Sequence, residues 1–524
     1  MAGVAGMVTR PVLTDEMVRS AAVSVGVCVR PVLARVTDTV TGDVRTVTIP
    51  CGATRESVCP SCADRARRLR MQQCREGWHL ETEPEPATSA DLDTCPATDD
   101  DDADDDDEEE SSRRVRSTRR RQDVADLPRL PVNSRTVGRT FHAPDGKTYR
   151  PSMFITLTMP SYGRVTSEGV PVDPETYDYR RAALDAMHFP KLIDRFWQNL
   201  RRATGYSVQY FAAVEPQRRL APHLHAAIRG AIPRAVLKQV AAATYHQVWW
   251  PPCEFRVYGP ENPPRWDEHQ EGYVGPDGLP LPSWEEALEL LDGDMDAEPV
   301  HVLRFGTQVD MQGVIAGTPL ADRAVGYLTK YLTKNITDAI DADDISPVSA
   351  ARRAHIDRLA REVKWLPCSP TCANWLLYST QPKDARPGLK PGRCRSKAHD
   401  RDHLGLGGRR VLVSRRWTGK TLTQHRADRS DIVRAALQAA GVEMDDHDEL
   451  SAIATTGDGQ PRYIWSALRP GDPDAPSYKW IIGKAITQRQ RWLNQYEQAK
   501  QRARPPTADL SATTPPHSPE GTRP

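Results

Sequence analysis

One stretch of the chain, residues 99–110, reads DDDDADDDDEEE and cannot contribute to a folded core. The basic run SSRRVRSTRRRQ at 111–122 follows it at once. Segments of this composition bury too little apolar surface to offset the entropy lost on ordering them. We therefore predict a disordered acidic and basic linker at 86–140. The remainder of the 524 residues must fold on either side of this linker.

The formal net charge of the chain is zero only because the acidic run offsets a basic remainder. The run holds 11 of the 70 acidic residues, which leaves 70 basic groups against 59 acidic ones elsewhere. A basic surface favours a polyanionic partner. No stretch approaches 18 consecutive apolar residues, so we expect no membrane span, and the first residues do not predict a signal peptide. Ten cysteines in such a chain indicate a cytoplasmic protein whose cysteines bind metal or fill the core.

Changes in composition divide the rest of the chain. We predict an N-terminal zinc-binding region at 1–85, an α+β domain at 150–340, and a basic region containing Cys and His at 345–425. A C-terminal helical region at 426–503 and a disordered tail at 504–524 follow.

The α+β domain alternates strand and helix patterns. Strands are predicted at 153–162, 206–215, 222–230 and 299–306, and helices at 190–205, 233–249 and 319–336. For the first helix, Pro190 suits the first turn and Gly205 suits the end. A Pro-rich and Gly-rich insertion at 251–298 should form surface structure. This order predicts an antiparallel sheet with helices packed on one face.

The segment EPQRRLAPHLH at 215–225 carries the first chemical signal. In a strand, His223 and His225 point to the same face while Leu224 points to the other. If the preceding strand is antiparallel, the intervening turn brings Glu215 beside them. Two imidazoles and one carboxylate with open positions suit a divalent cation such as Mg²⁺ or Mn²⁺. The alternative is a pair of exposed strand histidines.

The phrase YLTKYLTK at 327–334 carries the second signal. Tyr327 and Tyr331 lie four residues apart, so a helix places them on one face with Lys330 beside them. A phenol has a pKa near 10, and a nearby cation would favour its reactive phenolate form. The alternative is ordinary aromatic packing with solvated lysines.

Taken in order, three motifs resemble those of the HUH endonucleases. These motifs are FITLT at 154–158, His223-Leu224-His225, and Tyr327 with Lys330 and Tyr331. The family comprises rolling-circle replication initiators, relaxases and related transposases. Across residues 25–80 and 150–430 the chain is similar to initiators of actinobacterial plasmids and integrative elements. Relaxases usually place their tyrosine before the histidines, whereas here the tyrosines follow about 100 residues later.

The resemblance implies a ferredoxin-like or RRM-like sheet and a DNA-nicking enzyme. His223, His225 and Glu215 would hold Mg²⁺ or Mn²⁺, and one of the two tyrosines would form a 5′-phosphotyrosine. Single-stranded and double-stranded origin DNA, a host helicase and a DNA polymerase would be the partners. A relaxase or transposase with the same chemistry, or a non-catalytic zinc-dependent DNA-binding regulator, are the alternatives.

Two cysteine clusters are candidate structural zinc sites. The first contains CPSC, a compact pair of ligands, and we predict a site of four thiolates: Cys51, Cys59, Cys62 and Cys74. His79 is a possible substitute in that set. In the second, CSPTC is followed by CRSKAHDRDH, which predicts a site of three cysteines and a histidine: Cys368, Cys372, Cys394 and His399. Free cysteines in small cores are the alternative.

Overall fold

A computed structural model of the chain describes its folded segments and divides them into two compact units. The first unit comprises residues 1–53, 59–62 and 423–524, and the second comprises residues 54–58 and 63–422. The described residues are 13–78, 80, 82–84, 121–137, 140–142, 144, 146, 148–315, 318–330, 332, 346–407, 410–439, 454–469, 471–472 and 475–502. Most of the predicted linker and the whole predicted tail therefore lie outside the described residues.

The predicted mixture of helices and antiparallel sheets is confirmed. The helices are α1 (Asp15–Ser24), α2 (Pro60–Trp78), α3 (Tyr179–Thr204), α4 (Arg234–Ala243), α5 (Trp284–Gly293), α6 (Pro319–Lys330), α7 (Pro347–Trp365), α8 (Leu422–Ala439) and α9 (Tyr478–Arg502). The strands are β1 (Val32–Asp38), β2 (Val44–Ile49), β3 (Phe141–His142), β4 (Thr148–Tyr149), β5 (Pro151–Thr158), β6 (Tyr210–Pro216), β7 (Pro222–Ile228), β8 (Tyr245–Val248), β9 (Arg265–Asp267), β10 (Gly272–Val274), β11 (His301–Arg304), β12 (Val309–Ile315), β13 (Val411–Val413) and β14 (Tyr463–Leu468).

The first unit is built from both ends of the chain. Its sheet has the order β14-β1-β2, and Val36 of β1 lies opposite Trp465 of β14. Val18 of α1 and Ile482 of α9 are buried together in its small core. The C-terminal region predicted as helical thus also contains a strand, which the sequence pattern alone did not reveal.

The second unit centres on a five-stranded sheet with the order β12-β5-β7-β6-β13, in which all neighbouring strands are antiparallel. Every residue of β7 is buried, which is expected of a central strand covered on both faces. A tight turn joins β6 to β7 and places Leu220 in the left-handed region, with φ of 64°. The hairpin fixes the register that the candidate site depends on.

Helix α3 begins eleven residues earlier than the sequence analysis predicts. The Asp178 side chain accepts a hydrogen bond from the main-chain N–H of Arg181 and caps the helix, so Pro190 lies inside the helix rather than in its first turn. The predicted end is confirmed, because Gly205 adopts a left-handed conformation with φ of 69°. Burial of Phe189, Leu192 and their neighbours along one face outweighs the hydrogen bond that proline cannot make.

Two other predicted elements differ from the structure. The helix predicted at 233–249 ends at Ala243, because the aromatic and β-branched residues that follow form β8 and pair with β11. The strand predicted at 299–306 therefore lies outside the central sheet. One edge of that sheet is β12 instead, a strand missed from the sequence because most of its residues are at least partly exposed.

Helices cover both faces of the central sheet, not one as predicted. On one face, Leu157 and Leu224 pack against Leu192 of α3. On the other face, Phe211 and Ala227 pack in a second cluster. That cluster contains Val325 and Leu328 of α6, which brings α6 next to the strands that carry the candidate site.

The predicted surface insertion at 251–298 contains ordered structure. It forms the β9-β10 hairpin and α5, whose first turn is fixed by a capping box between Ser283 and Glu286. Trp284 of α5 is buried against Trp375. Among the described helices, none has the length and apolar character needed to cross a bilayer.

The buried His188 and the half-buried His246 make the stability of the second unit sensitive to acid. Burial lowers the pKa of both His188 and His246 to about 3. The unfolded chain takes up protons near pH 6.5, before the folded one, so stability is lost as the pH falls through that value. From pH 7 to pH 5 we expect each such histidine to cost about 2 kcal/mol.

We predict that His188→Leu reduces this acid sensitivity. The free energy of unfolding of the variant should fall by about 2 kcal/mol less than that of the wild type between pH 7 and pH 5. Denaturant unfolding at both pH values measures it, with His269→Leu in an exposed turn as the control. Equal losses in His188→Leu and wild type would contradict the prediction.

Candidate metal and nucleophile site

The β6-β7 hairpin assembles the three predicted metal ligands. Glu215 lies directly opposite His223 in the antiparallel register, and His225 follows two residues later on the same face. The alternate residues Val214 and Leu224 belong to the hydrophobic core on the other face. Alternation along each strand therefore sends the three ligands to one face and these apolar residues to the other, while Phe211 and Ala227 continue the ligand face as a second apolar cluster.

The side chains of these three residues converge on one point. The Nε2 atoms of His223 and His225 are 2.6 Å apart, and their rings are perpendicular. One ligand atom from each histidine and a Glu215 oxygen all lie within 4.8 Å of one another. All three residues are buried, so the structure does not support the alternative of exposed strand histidines.

The electrostatics of the cluster favour a cation. Burial raises the pKa of Glu215 to about 7, against the opposing charges of Arg410 and Lys330. Burial also lowers the pKa of His223 to about 3 and that of His225 to about 4. Within the described part of the chain, the buried Oε1 atom of Glu215 has no hydrogen-bond partner. A divalent cation would satisfy this oxygen and accept both imidazole lone pairs, so the residues fit a metal.

Tyr327 of α6 reaches this cluster from above the sheet. Its Oη atom lies 3.3 Å from Nε2 of His225, and its ring meets the edge of the Phe154 ring. The residue is 42% exposed, so part of this side chain remains accessible while its hydroxyl lies beside the buried ligands. Lys330, one turn further along α6, is close enough for its charge to act on the Glu215 carboxyl. The second predicted tyrosine, Tyr331, lies outside the described residues.

Two residues near the cluster were not assigned roles by the sequence analysis. The Thr156 hydroxyl is 2.8 Å from Nδ1 of His225, on the side of the ring that faces away from His223. Arg410 precedes β13, and its charge acts on Glu215. The signal for Thr156 was its place in the FITLT motif, but its contact depends on strand register. Arg410 lay within a basic segment and could not be distinguished there from its neighbours.

The N-terminal cysteine cluster differs from the predicted set by one residue. Cys51, Cys59 and Cys62 do come together, but the fourth member is Cys28, all within 4.8 Å of one another. The Sγ atom of Cys59 is 3.8 Å from that of Cys28, which also accepts a hydrogen bond from the Cys51 N–H. Four thiols at this spacing can hold a metal ion such as zinc.

Cys74 is corrected from a ligand to a core residue. It lies twelve residues beyond Cys62 on α2, about 18 Å along the helix axis, so the two cannot share one ion. Cys74 is fully buried beside Trp78 and Trp417, and burial raises the pKa of its thiol. The substitute proposed for it, His79, lies outside the described residues.

The second cysteine cluster agrees with its predicted membership. The predicted atoms lie within 4.8 Å of one another, in the set Cys368, Cys372, Cys394 and His399. Nδ1 of His399 is 2.8 Å from the main-chain carbonyl of Val363, and Nε2 is 3.5 Å from Sγ of Cys372. An N–H on Nδ1 that donates to this carbonyl leaves the Nε2 lone pair facing the thiols, as a metal ligand requires.

Sequence comparison connects this arrangement with known proteins. The family described as "Replication initiator protein, pSAM2" matches residues 14–469. The chain belongs to this replication initiator family. The initiator is also 28% identical, over 379 residues, to a replication initiator protein of Streptomyces ambofaciens. The aligned region covers 62% of this chain and 68% of the relative. No solved structure matches the initiator. Membership of the family implies that the initiator binds origin DNA.

The cysteine geometry predicts which substitution removes a bound metal. Cys28→Ala should lower the tightly held metal by about one equivalent per chain, because it removes one of four thiols. Cys74→Ala removes a cysteine outside the cluster and is the matched control. It should retain the metal content of the wild type. Elemental analysis of purified protein after mild chelation measures this. Metal loss in Cys74→Ala with full retention in Cys28→Ala would contradict the assignment.

Proposed function

We propose that the initiator is a metal-dependent tyrosine endonuclease that nicks origin DNA through a 5′-phosphotyrosine and starts rolling-circle plasmid replication. The observation that carries this proposal is the position of the Tyr327 hydroxyl, 3.3 Å from a histidine of a buried three-ligand cluster. An aromatic residue used only for packing would not need to place its hydroxyl beside two imidazoles and a carboxylate while its side chain stays partly exposed.

In the proposed reaction, the Tyr327 oxygen attacks the scissile phosphorus in line with the bond to the 3′ oxygen. A bond forms between the phenolic oxygen and phosphorus, the bond to the 3′ oxygen breaks, and that oxygen takes up a proton as a 3′-OH. The phenol loses its proton. The new 3′-OH then primes synthesis, while the covalent bond retains the energy needed for rejoining.

The metal group proposed for Glu215, His223 and His225 is Mg²⁺ or Mn²⁺, which when bound supplies positive charge to the scissile phosphate. The chain adds its own positive charge nearby. Lys330 and Arg410 both act electrostatically on Glu215, so both lie where they can attract a phosphate. The exposed face of Tyr327 leaves room for the DNA strand that carries that phosphate.

Tyr331 completes the proposal as the second nucleophile. If α6 continues past Lys330, a spacing of four residues puts Tyr331 on the same face as Tyr327. Two tyrosines allow one to hold the displaced strand while the other cleaves the site regenerated after one circuit. Exchange of the two covalent bonds would then release a single-stranded circle.

The proposed HUH-type fold rests on the five-stranded antiparallel sheet whose central hairpin carries the ligands, with the tyrosine helix beside it. Zinc is proposed as the metal of both cysteine clusters, because three or four thiols that can surround an ion tetrahedrally are its preferred donor set.

A host helicase and a DNA polymerase are the proposed partners, since an enzyme that exposes a 3′-OH needs both to extend the strand.

Nicking by tyrosine variants tests the proposal. The protein is incubated with Mg²⁺ or Mn²⁺ and a supercoiled plasmid that carries its origin, and both relaxed DNA and covalently attached protein are measured. Tyr327→Phe combined with Tyr331→Phe should lower both by at least about 100-fold, because no phenol remains to attack. Tyr496→Phe, an exposed tyrosine on α9, is the control and should nick normally. Full nicking by the double variant would refute the proposed chemistry.

A further inference from the structure

We infer that Thr156 is a positioning residue, whose hydroxyl holds His225 in the tautomer and orientation that present Nε2 to the metal. The inference rests on the proposed metal-dependent function and adds a residue from a different strand to it. It assigns a role to a residue of the FITLT motif, whose polar side chains have no part in the steps described above.

The register of the sheet brings the two side chains together. Thr156 lies directly opposite His225 across the β5-β7 pairing, so their side chains share one face. The hydroxyl is 2.8 Å from Nδ1 of the imidazole. Phe154, two residues earlier on the same strand, stacks on the His225 ring with an angle of 17° between the planes. Stacking fixes the plane of the ring, and the hydroxyl fixes its rotation within that plane.

The direction of this hydrogen bond determines which nitrogen can bind a cation, because a hydroxyl can accept from an Nδ1–H or donate to a bare Nδ1. A neutral imidazole carries one N–H, and only the nitrogen without it can donate a lone pair to a metal. When the Nδ1–H donates to the Thr156 oxygen, the lone pair of Nε2 faces Nε2 of His223 and the Tyr327 hydroxyl. The opposite tautomer would place a hydrogen in the middle of the cluster and block a shared cation.

A threonine in this role has an electrostatic consequence. Metal-binding histidines often donate to a carboxylate, which adds negative charge close to the ion. The Thr156 hydroxyl orients the ring without adding charge. A divalent cation held by Glu215 and two neutral imidazoles would therefore keep a net charge of +1, which favours the approach of a DNA phosphate.

The chain contains a matched control two residues away. Thr158 lies on the same face of β5, opposite His223, and is buried. Its hydroxyl donates to the main-chain carbonyl of Gln308 at 3.1 Å rather than to a ligand. Replacing Thr158 with valine removes a hydroxyl from an equivalent position without removing a contact to a histidine.

The test measures Mn²⁺ affinity directly, using the electron paramagnetic resonance signal of free Mn²⁺ during titration of the full chain. We expect Thr156→Val to weaken binding about 10-fold to 100-fold, the range found for residues that orient metal ligands. Thr156→Ser, which restores the hydroxyl, should bind within about threefold of wild type, and so should Thr158→Val. Nicking by Thr156→Val should recover at high Mn²⁺ concentration, since the nucleophile is intact.

The outcomes separate this inference from the proposed function. If the wild type binds Mn²⁺ and Thr156→Val binds it equally well, the inference about Thr156 fails and the proposed function stands. If Thr158→Val weakens binding as much as Thr156→Val, or Thr156→Ser fails to restore it, the role of Thr156 is structural and the inference also fails. If the wild type binds no Mn²⁺ in this assay, the proposed metal-dependent function fails.

Discussion

The antiparallel pairing of Glu215 with His223 is the contact on which the rest of the site depends. It places a carboxylate and two imidazoles on one face of the sheet while Val214 and Leu224 bury the other face in the core. A slip of one residue in either strand would exchange the two sets, so the hydrophobic core itself enforces the register of the ligands. Strand β5, which pairs with β7 on the side away from β6, then supplies a polar neighbour to His225. Helix α6 covers part of the face that carries the ligands.

The buried ligands carry an electrostatic free-energy cost in the folded chain. A buried carboxyl whose Oε1 has no partner among the described residues, next to two buried imidazoles, is unfavourable without a compensating charge. Native structures keep such groups mainly where function requires them. The surrounding core then offsets the loss of stability that they cause. The extensive core around α3 provides that support here, since it packs the opposite face of the same strands.

Local patterns predicted much of this site, and pairings between distant segments explain most of what they missed. Spacing of two residues in a strand identified His223 and His225, but β12 and β14 pair with strands more than 150 and 420 residues away, which no local pattern encodes. Pro190 was read as a helix start because a proline inside a helix is uncommon. Cys74 is a different case, because it and Cys62 lie on one helix, α2, twelve residues apart, which is too far to share an ion.

The strand pairing of the first unit has a consequence for synthesis of the chain. Strand β1 emerges from the ribosome early, yet its neighbour β14 follows about 425 residues later. At about 5–20 residues per second, β1 waits roughly 20–90 s for that partner. During this interval the second unit, whose strands all lie between, can complete its own sheet. A chain terminated early would keep the whole candidate site yet leave one edge of β1 unpaired, exposed to pairing with other chains.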